Sequence, residues 1–177
     1  MPMGGFSIRD FKENFQTGAR SYLFVIDPVF PNGVNVTNKE RSGYYVRSSS
    51  LPSSNFDDIT TSWQGFDFKS AGKRNYDPLT ISFNVDKDAY IREAYANWQN
   101  QMLNPETNIA SYPSQYMVNQ KIYLLGLDFL PIMTFELFFA YPQSVGEVSL
   151  DYTNSDFATF DVGLTYTYFT AVKGGAV

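Results

Sequence analysis

Carboxylates, Lys, Tyr, Ser and Thr are the side chains left to do chemistry in this chain, because its 177 residues include neither histidine nor cysteine. The lack of cysteine removes disulfides, thiolate nucleophiles, cysteine-ligated zinc and iron–sulfur clusters. The lack of histidine removes the Ser/His/Asp relay, the Cys/His pair and imidazole metal ligands, along with the side chain that ordinarily titrates between pH 5 and 8. The tight acidic groupings are Asp57-Asp58 and the pair Asp151/Asp156. Hydrolysis by paired carboxylates needs two groups facing each other across a cleft, one of them with a raised pKa. Asp57 and Asp58 are instead neighbours in a Ser/Asn-rich stretch, and DYTNSD at 151–156 has the composition of a hairpin turn. Both groupings therefore read as turn and cap residues. A calcium loop would need a D-x-D-x-D-G spacing, which does not occur. No catalytic, cofactor-binding or metal-ligating residue is expected, and no cofactor.

Three cations, Lys69, Lys73 and Arg74, lie within six residues of KSAGKRNYDP. The stretch lacks the spacing of a phosphate-binding loop and no helix pattern follows it. It reads either as a solvated hairpin tip or as a contact with acidic residues of another copy, such as Asp128, Asp151 and Asp156. Charge placement favours the second reading. The net charge is −5, and residues 122–177 hold it all, with Lys173 against Asp128, Glu136, Glu147, Asp151, Asp156 and Asp161. Such a region repels nucleic acid and cannot supply the phosphate contacts that dominate DNA affinity.

The frame for these residues is mainly β. Residues 7–17 place Ile8, Phe11 and Phe15 at helical spacing, with Ser7 at the start and Gly18 as a stop, and predict a short N-terminal helix. The run 21–27, SYLFVID, predicts a strand buried on both faces, and PNGVN at 31–35 predicts a turn. Leu79, Ile81, Phe83 and Val85 alternate with Thr80, Ser82, Asn84 and Asp86, as in a strand with one wet face. Ile91, Tyr95, Trp98 and Met102 recur as on one long amphipathic helix, capped by Asp86 or Asp88 and ended by Asn104-Pro105. Further strands follow in QKIYLLGLD, IMTFELFFAYP and the stretch after Gly146, where Phe160, Val162 and Leu164 alternate with Thr159, Asp161, Gly163 and Thr165. No apolar run reaches the length of a membrane span, and the charged N-terminal stretch does not read as a secretory leader, so a soluble protein is expected, kept where it is made. Length favours one domain. Among the 31 aromatic residues, Phe56 and Trp63 sit in polar surroundings that favour a protein interface.

The stretch YPQSVGEVSLDYTNSDFATFDVGLTYTYF (141–169) resembles the C-terminal part of tail tube proteins of contractile-tailed bacteriophages. It has an aromatic-Pro pair, a Val-Gly-Glu strand start, an Asp-aromatic turn with Asn, and alternating apolar positions ending in aromatics. LPSSNFDDITTSWQGFDFKSAG (51–72) is similar to that family's Leu-Pro element, which leads through a long hairpin to an Ala-Gly turn. The helix with Arg92 and Trp98-Gln99, then KIYLLGLDF, follow in the same order. The resemblance covers most of residues 7–169, with a longer loop at 28–43 and an added tail at 170–177. It implies an antiparallel β-barrel or sandwich with one long helix, a short N-terminal helix and an extended hairpin, in a single domain over 1–177. Within that domain, 1–20 would form an N-terminal arm, 51–77 the hairpin and 170–177 a C-terminal tail. It also implies no enzymatic activity and a virion location in the tail, after assembly in the host cytoplasm. The partners implied are copies of the same chain in stacked hexameric rings, a sheath outside, and baseplate and terminator proteins at the ends. Phage DNA would pass through without specific binding, with no membrane insertion.

On that footing the subunit interface is expected at Leu51, Asn55, Phe56, Asp57, Asp58, Ile59, Trp63, Lys69, Lys73 and Arg74. The lumen is expected to be polar and acidic, lined by Asp67, Ser82, Asn84, Glu147, Asp161 and Thr165; the same carboxylates would equally serve as outer-surface solvation. Two other readings stand beside this one. A secretion system or contractile bacteriocin would need the same ring. A monomeric β-barrel ligand binder or carbohydrate hydrolase would be equally aromatic, but would need a concave pocket.

Overall fold

A computed structural model describes residues 18–34, 36, 39–153 and 155–174. The predicted helix at 7–17 lies outside the described residues. The strands are β1 (Phe24–Asp27), β2 (Val46–Ser49), β3 (Ser54–Trp63), β4 (Phe66–Tyr76), β5 (Leu79–Asn84), β6 (Val118–Leu125), β7 (Pro131–Val145), β8 (Thr159–Thr165) and β9 (Tyr168–Lys173). Helix α1 spans Tyr90–Met102, α2 is the single turn Pro113–Tyr116, and a 3-10 segment covers Lys39–Tyr45.

Among the described residues, seven strands form one antiparallel sheet in the order β1-β6-β7-β8-β5-β2, with β9 also on β7, while β3 and β4 pair only with each other. The length of β7 explains the layout. Its first half, Met133 to Phe138, lies between β6 and β9, and its second half, Tyr141 to Val145, pairs with β8. Between the halves Phe139 takes a left-handed φ of 56°, and its amide donates to Asn119 Oδ1 at 3.3 Å. The pairing register shifts there, between Val118 and Gln120, so a bulge bends the strand from one half-sheet to the other. Thr170 to Lys173, set apart above as part of a tail, continue β9.

The predicted barrel does not close among the described residues: β1 and β2 are both outer strands. The chain between them has prolines at 28 and 31 and Gly33 at φ 108°, which disfavour a laddered strand, and it enters the 3-10 segment instead. A cleft of about 1080 Å³ separates the two edges, lined by Phe24 to Asp27 on one side and Val46 to Ser49 on the other. The strand predicted at 21–27 also differs. Only Ile26 of β1 is buried, because β1 is an edge strand with one face on the core.

The core lies between the sheet and α1. Leu79, Ile81, Phe83, Phe160, Val162 and Leu164 face Ile91, Ala94, Tyr95 and Trp98. Tyr95 and Trp98 stack at 6.0 Å, Phe83 stacks on Phe160 at 5.6 Å, and Phe30 closes over Tyr95 at 5.1 Å. Burial pushes the Tyr95 hydroxyl well above its usual pKa. The helix does not start on a carboxylate cap. Ala89, at φ 51°, holds the N-cap position with no side-chain hydrogen bond, while Asp86 Oδ2 accepts from the Asp88 amide at 3.2 Å. Asp86 therefore shapes the turn that precedes the helix. No helix among the described residues is long and apolar enough to cross a membrane.

Candidate assembly interface

The hairpin of β3 and β4 extends from the body, and no third strand pairs with it among the described residues. Two residues turn it, Gln64 at φ 48° and Gly65 at φ 84°, and both lie in the left-handed region that two-residue hairpins require. The tip is thus Gln64-Gly65, and KSAGKR, taken above as a possible tip, lies within β4. Gly72 and Lys73 form a bulge there, both set against Asp57. A side chain at Gly72 would place its Cβ 2.8 Å from the Asp57 carbonyl oxygen, so the bulge requires glycine.

Strand alternation gives the hairpin two unlike faces. Partners Trp63/Phe66, Thr61/Phe68 and Ile59/Ser70 lie on one, with Asp57 and Asn55 nearer the base. Ser62/Asp67, Thr60/Lys69 and Asp58/Ala71 lie on the other. The second face satisfies itself: Ser62 Oγ donates to Asp67 at 2.6 Å, and Lys69 Nζ sits 3.0 Å from Asp58. Towards the base Arg74 donates to Ser54 Oγ at 3.0 Å, with its guanidinium over the rings of Phe56 and Tyr76. On the first face Asn75 donates to Asp57 Oδ1 at 2.8 Å near the base, and towards the tip the face is apolar. Trp63, Phe66 and Phe68 are 73%, 80% and 70% exposed, and Ile59 is exposed beside them.

The base is anchored to the body. Tyr76 packs on Tyr166 at 6.0 Å and Phe169 at 5.7 Å, and Asp77 accepts from Ser53 and Asn55 at 2.8 and 2.9 Å. Burial, and then the Asp77 charge, raise the Tyr166 pKa. A lone two-stranded hairpin is marginal in water, and this one is held by its fixed base and by the hydrogen bonds across its second face.

The predicted interface residues Asn55, Phe56, Asp57, Asp58, Ile59, Trp63, Lys69, Lys73 and Arg74 all lie on this hairpin, and Leu51 is exposed just before it. Sequence reasoning passed over Phe66 and Phe68, although the alternation in FDFKS places both on the face of Trp63. The three cations divide differently from expectation, since Lys69 and Arg74 already have partners within the hairpin.

The predicted lumen residues fall in two places. Ser82, Asn84, Asp161 and Thr165 share the wet face of β5 and β8, where Ser82 pairs with Asp161 and its hydroxyl donates to the carboxylate. Thr165 Oγ1 donates to Gln143 at 2.6 Å. Glu147 is exposed just past the end of β7, next to Gly146, whose amide donates to the Asp161 carbonyl at 2.6 Å. Asp67 does not: it lies near the hairpin tip, on a separate sheet.

Asp128 and Asp151 serve local turns. Asp128 accepts from the Leu130 amide at 3.2 Å, and Asp151 accepts from the amide and hydroxyl of Thr153 at 2.9 and 2.8 Å, which hold it below the usual carboxylate range. The turn reading of DYTNSD fits that geometry. Among the described residues no cluster of acidic side chains could hold a metal ion.

A family model described as phage tail tube protein matches residues 14–172. The baseplate tail-tube junction protein gp54 of Enterobacteria phage T4 is 30% identical over 105 residues, 59% of this chain and 32% of that protein. The chain thus spans about a third of that relative's length. Among solved structures, a chain in the baseplate of the anti-feeding prophage aligns with TM-score 0.67 and 19% identity, over 89% of this chain and 97% of that one. A chain in the extended sheath-tube complex of the extracellular contractile injection system PVC aligns with TM-score 0.63 and 17% identity, over 96% and 99%. At those identities the likeness speaks to the fold. With nearly the whole described chain inside the family match, the chain belongs to the phage tail tube protein family, whose members are structural, non-enzymatic tube subunits.

Proposed function

We propose that the whole chain, as one domain, forms six-membered rings that stack into the hollow tube of a contractile phage tail in the virion. A sheath surrounds the tube, baseplate and terminator proteins hold its ends, and DNA moves through its lumen. The observation that carries this reading is the unpartnered apolar face of Ile59, Trp63, Phe66 and Phe68 on an anchored hairpin. The outer strands β1 and β2 support it too, because unpaired edges are removed when copies close into a ring. Electron microscopy of the purified protein tests it: rings or tubes are expected, and monodisperse 20 kDa particles would favour the ligand-binding alternative. An injection device would use the same ring, and the fold likeness to such systems favours keeping that second reading. A capsid or large terminase gene beside this one would decide for a phage.

The lumen in this reading is the wet face of β5 and β8, with Asp161 and Glu147 as its carboxylates. Duplex DNA carries about one negative charge per 1.7 Å of axis, and each phosphate that meets a Lys or Arg adds a salt-dependent binding term. An acidic wall lets DNA slide. In particles built from an Asp161→Lys, Glu147→Lys variant, tubes form but ejection slows, and the slowing eases as salt is raised. Ejection at the unmodified rate from normally assembled particles counts against this placement.

A further inference from the structure

We propose that the apolar face of the hairpin seats, in a head-to-tail contact, on the β7–β8 connection of a second copy of this chain, against Leu150, Tyr152 and Phe157. This contact rests on the assembly reading above, and it names the surface that receives the hairpin. Leu150 and Phe157 are 83% and 85% exposed, and Tyr152 is fully exposed. Three large apolar side chains standing in water on one short connection mark a site of protein contact.

Topology roots the two surfaces at opposite ends of β5 and β8. The hairpin leaves the sheet where Leu79 pairs with Leu164, and Tyr76 is fixed there against Tyr166. The connection enters at the other end, where Asn84 pairs with Thr159 and the Val85 amide donates to the Ala158 carbonyl at 2.8 Å. Six paired residues, about 20 Å of strand, lie between the two ends. A copy displaced along these strands brings one surface onto the other, and the contact then repeats in one direction. Two hairpins face to face would instead leave the connection in water and close into a pair that cannot grow.

Charge and area also match. Residues 146–158 carry Glu147, Asp151 and Asp156 and no cation, and stay net negative with Arg47 of β2 beside them. Thr153 holds Asp151 below the usual carboxylate range, so Asp151 keeps its charge. The hairpin brings Lys73, which is exposed in the bulge and has no ion-pair partner among the described residues. Seated together, the seven apolar side chains of the two surfaces bury on the order of 1,000 Å². That is about the area at which specific interfaces begin.

The absence of native cysteine makes the test clean. Thr61→Cys, on the hairpin face beside Phe68, and Ser155→Cys, in the connection, are each introduced alone into the full chain; both positions are exposed. The two chains are mixed, left to assemble and treated with a short bis-maleimide. A pair held in the interface reacts at an effective concentration on the order of millimolar, against micromolar for chance encounters. The product joining one chain of each kind should therefore exceed either like-with-like product by at least about tenfold. A mixed product no more abundant than the like pairs overturns the proposal, and so does a dominant Thr61→Cys pair, which would mean that hairpin meets hairpin. A second variant, Tyr152→Ser with Phe157→Ser, should keep the circular dichroism of the parent and assemble at least about tenfold more weakly. Parent-like assembly by that variant also overturns it. Electron microscopy of the same samples separates this contact from the reading it rests on. Rings or tubes without the mixed product reject the contact and leave the tube standing, whereas a parent that never assembles rejects the tube and the contact with it.

Discussion

A chain carrying Phe66→Ser and Phe68→Ser folds with the helix and sheet content of the parent but no longer assembles at concentrations where the parent does. Both rings stand in solvent in the single chain, so removing them takes little packing from the fold; surface changes of this kind stay within about 0.5 kcal/mol. Burying a phenylalanine against a partner contributes about 1.5–3 kcal/mol, so the pair removes about 3–6 kcal/mol from each contact it makes. At about 1.4 kcal/mol per decade, the contact weakens by about two to four orders of magnitude. Sedimentation velocity across a concentration series measures the shift, and electron microscopy reads loss of tubes. A companion variant, Ser62→Ala with Asp67→Asn, changes the opposite face, where the hydrogen bond closes within the hairpin. It should assemble as the parent does. Parent-like assembly by the Phe66/Phe68 variant would remove the apolar face from the interface.

The same hairpin marks how far the sequence could be read. Its extent was legible because a Leu-Pro element and the Tyr76-Asp77-Pro78 stop bracket a run with strand composition. Its turn was not, since Gln64-Gly65 is a weaker signal than the Ala-Gly step seven residues on, and the bulge that begins at Gly72 bends a strand without ending it. Strands β5 and β8 were read down to their faces, because strict alternation leaves one register in which every apolar side chain meets the core. Closure of the sheet was not legible. It depends on whether the four-residue strands β1 and β2 find each other, and no local pattern encodes that long-range choice. Position on the sheet likewise governed the strand at 21–27, whose continuous apolar run suggested burial on both faces while an edge location exposes one. The helix cap failed for a more local reason. Asp86 and Asp88 both have capping chemistry, yet Asp86 spends its oxygen on the Asp88 amide one turn early. Asp67 lies on a polar strand face like the other expected lumen carboxylates, but that strand belongs to the separate hairpin, so topology sets it apart from them.

Trp98→Ala should cost about 3–5 kcal/mol of folding stability, the range for emptying a buried large aromatic site. Trp98 is fully buried, stacks on Tyr95 and meets Phe30 edge-on at 5.7 Å. Its indole N–H also donates to the Tyr116 carbonyl at 2.8 Å, which ties α1 to the short α2 turn and the start of β6. Alanine would leave a cavity and an unpaired carbonyl together, which places the loss towards the upper end of that range. Domains are stable by about 5–15 kcal/mol in all, so this single site holds a large share. For a chain of this size the melting temperature should fall by about 6–20 °C. Trp98→Phe separates the two contributions: it keeps most of the ring and loses the hydrogen bond, for a smaller drop. Urea unfolding followed by circular dichroism measures both variants, and a loss below 1 kcal/mol for alanine would show that α1 is not what closes this core. The fold defect and the assembly defect should also part company. Trp98→Ala lowers stability with the hairpin face intact, so at temperatures where it remains folded it should still assemble, whereas the Phe66/Phe68 variant melts as the parent does and does not.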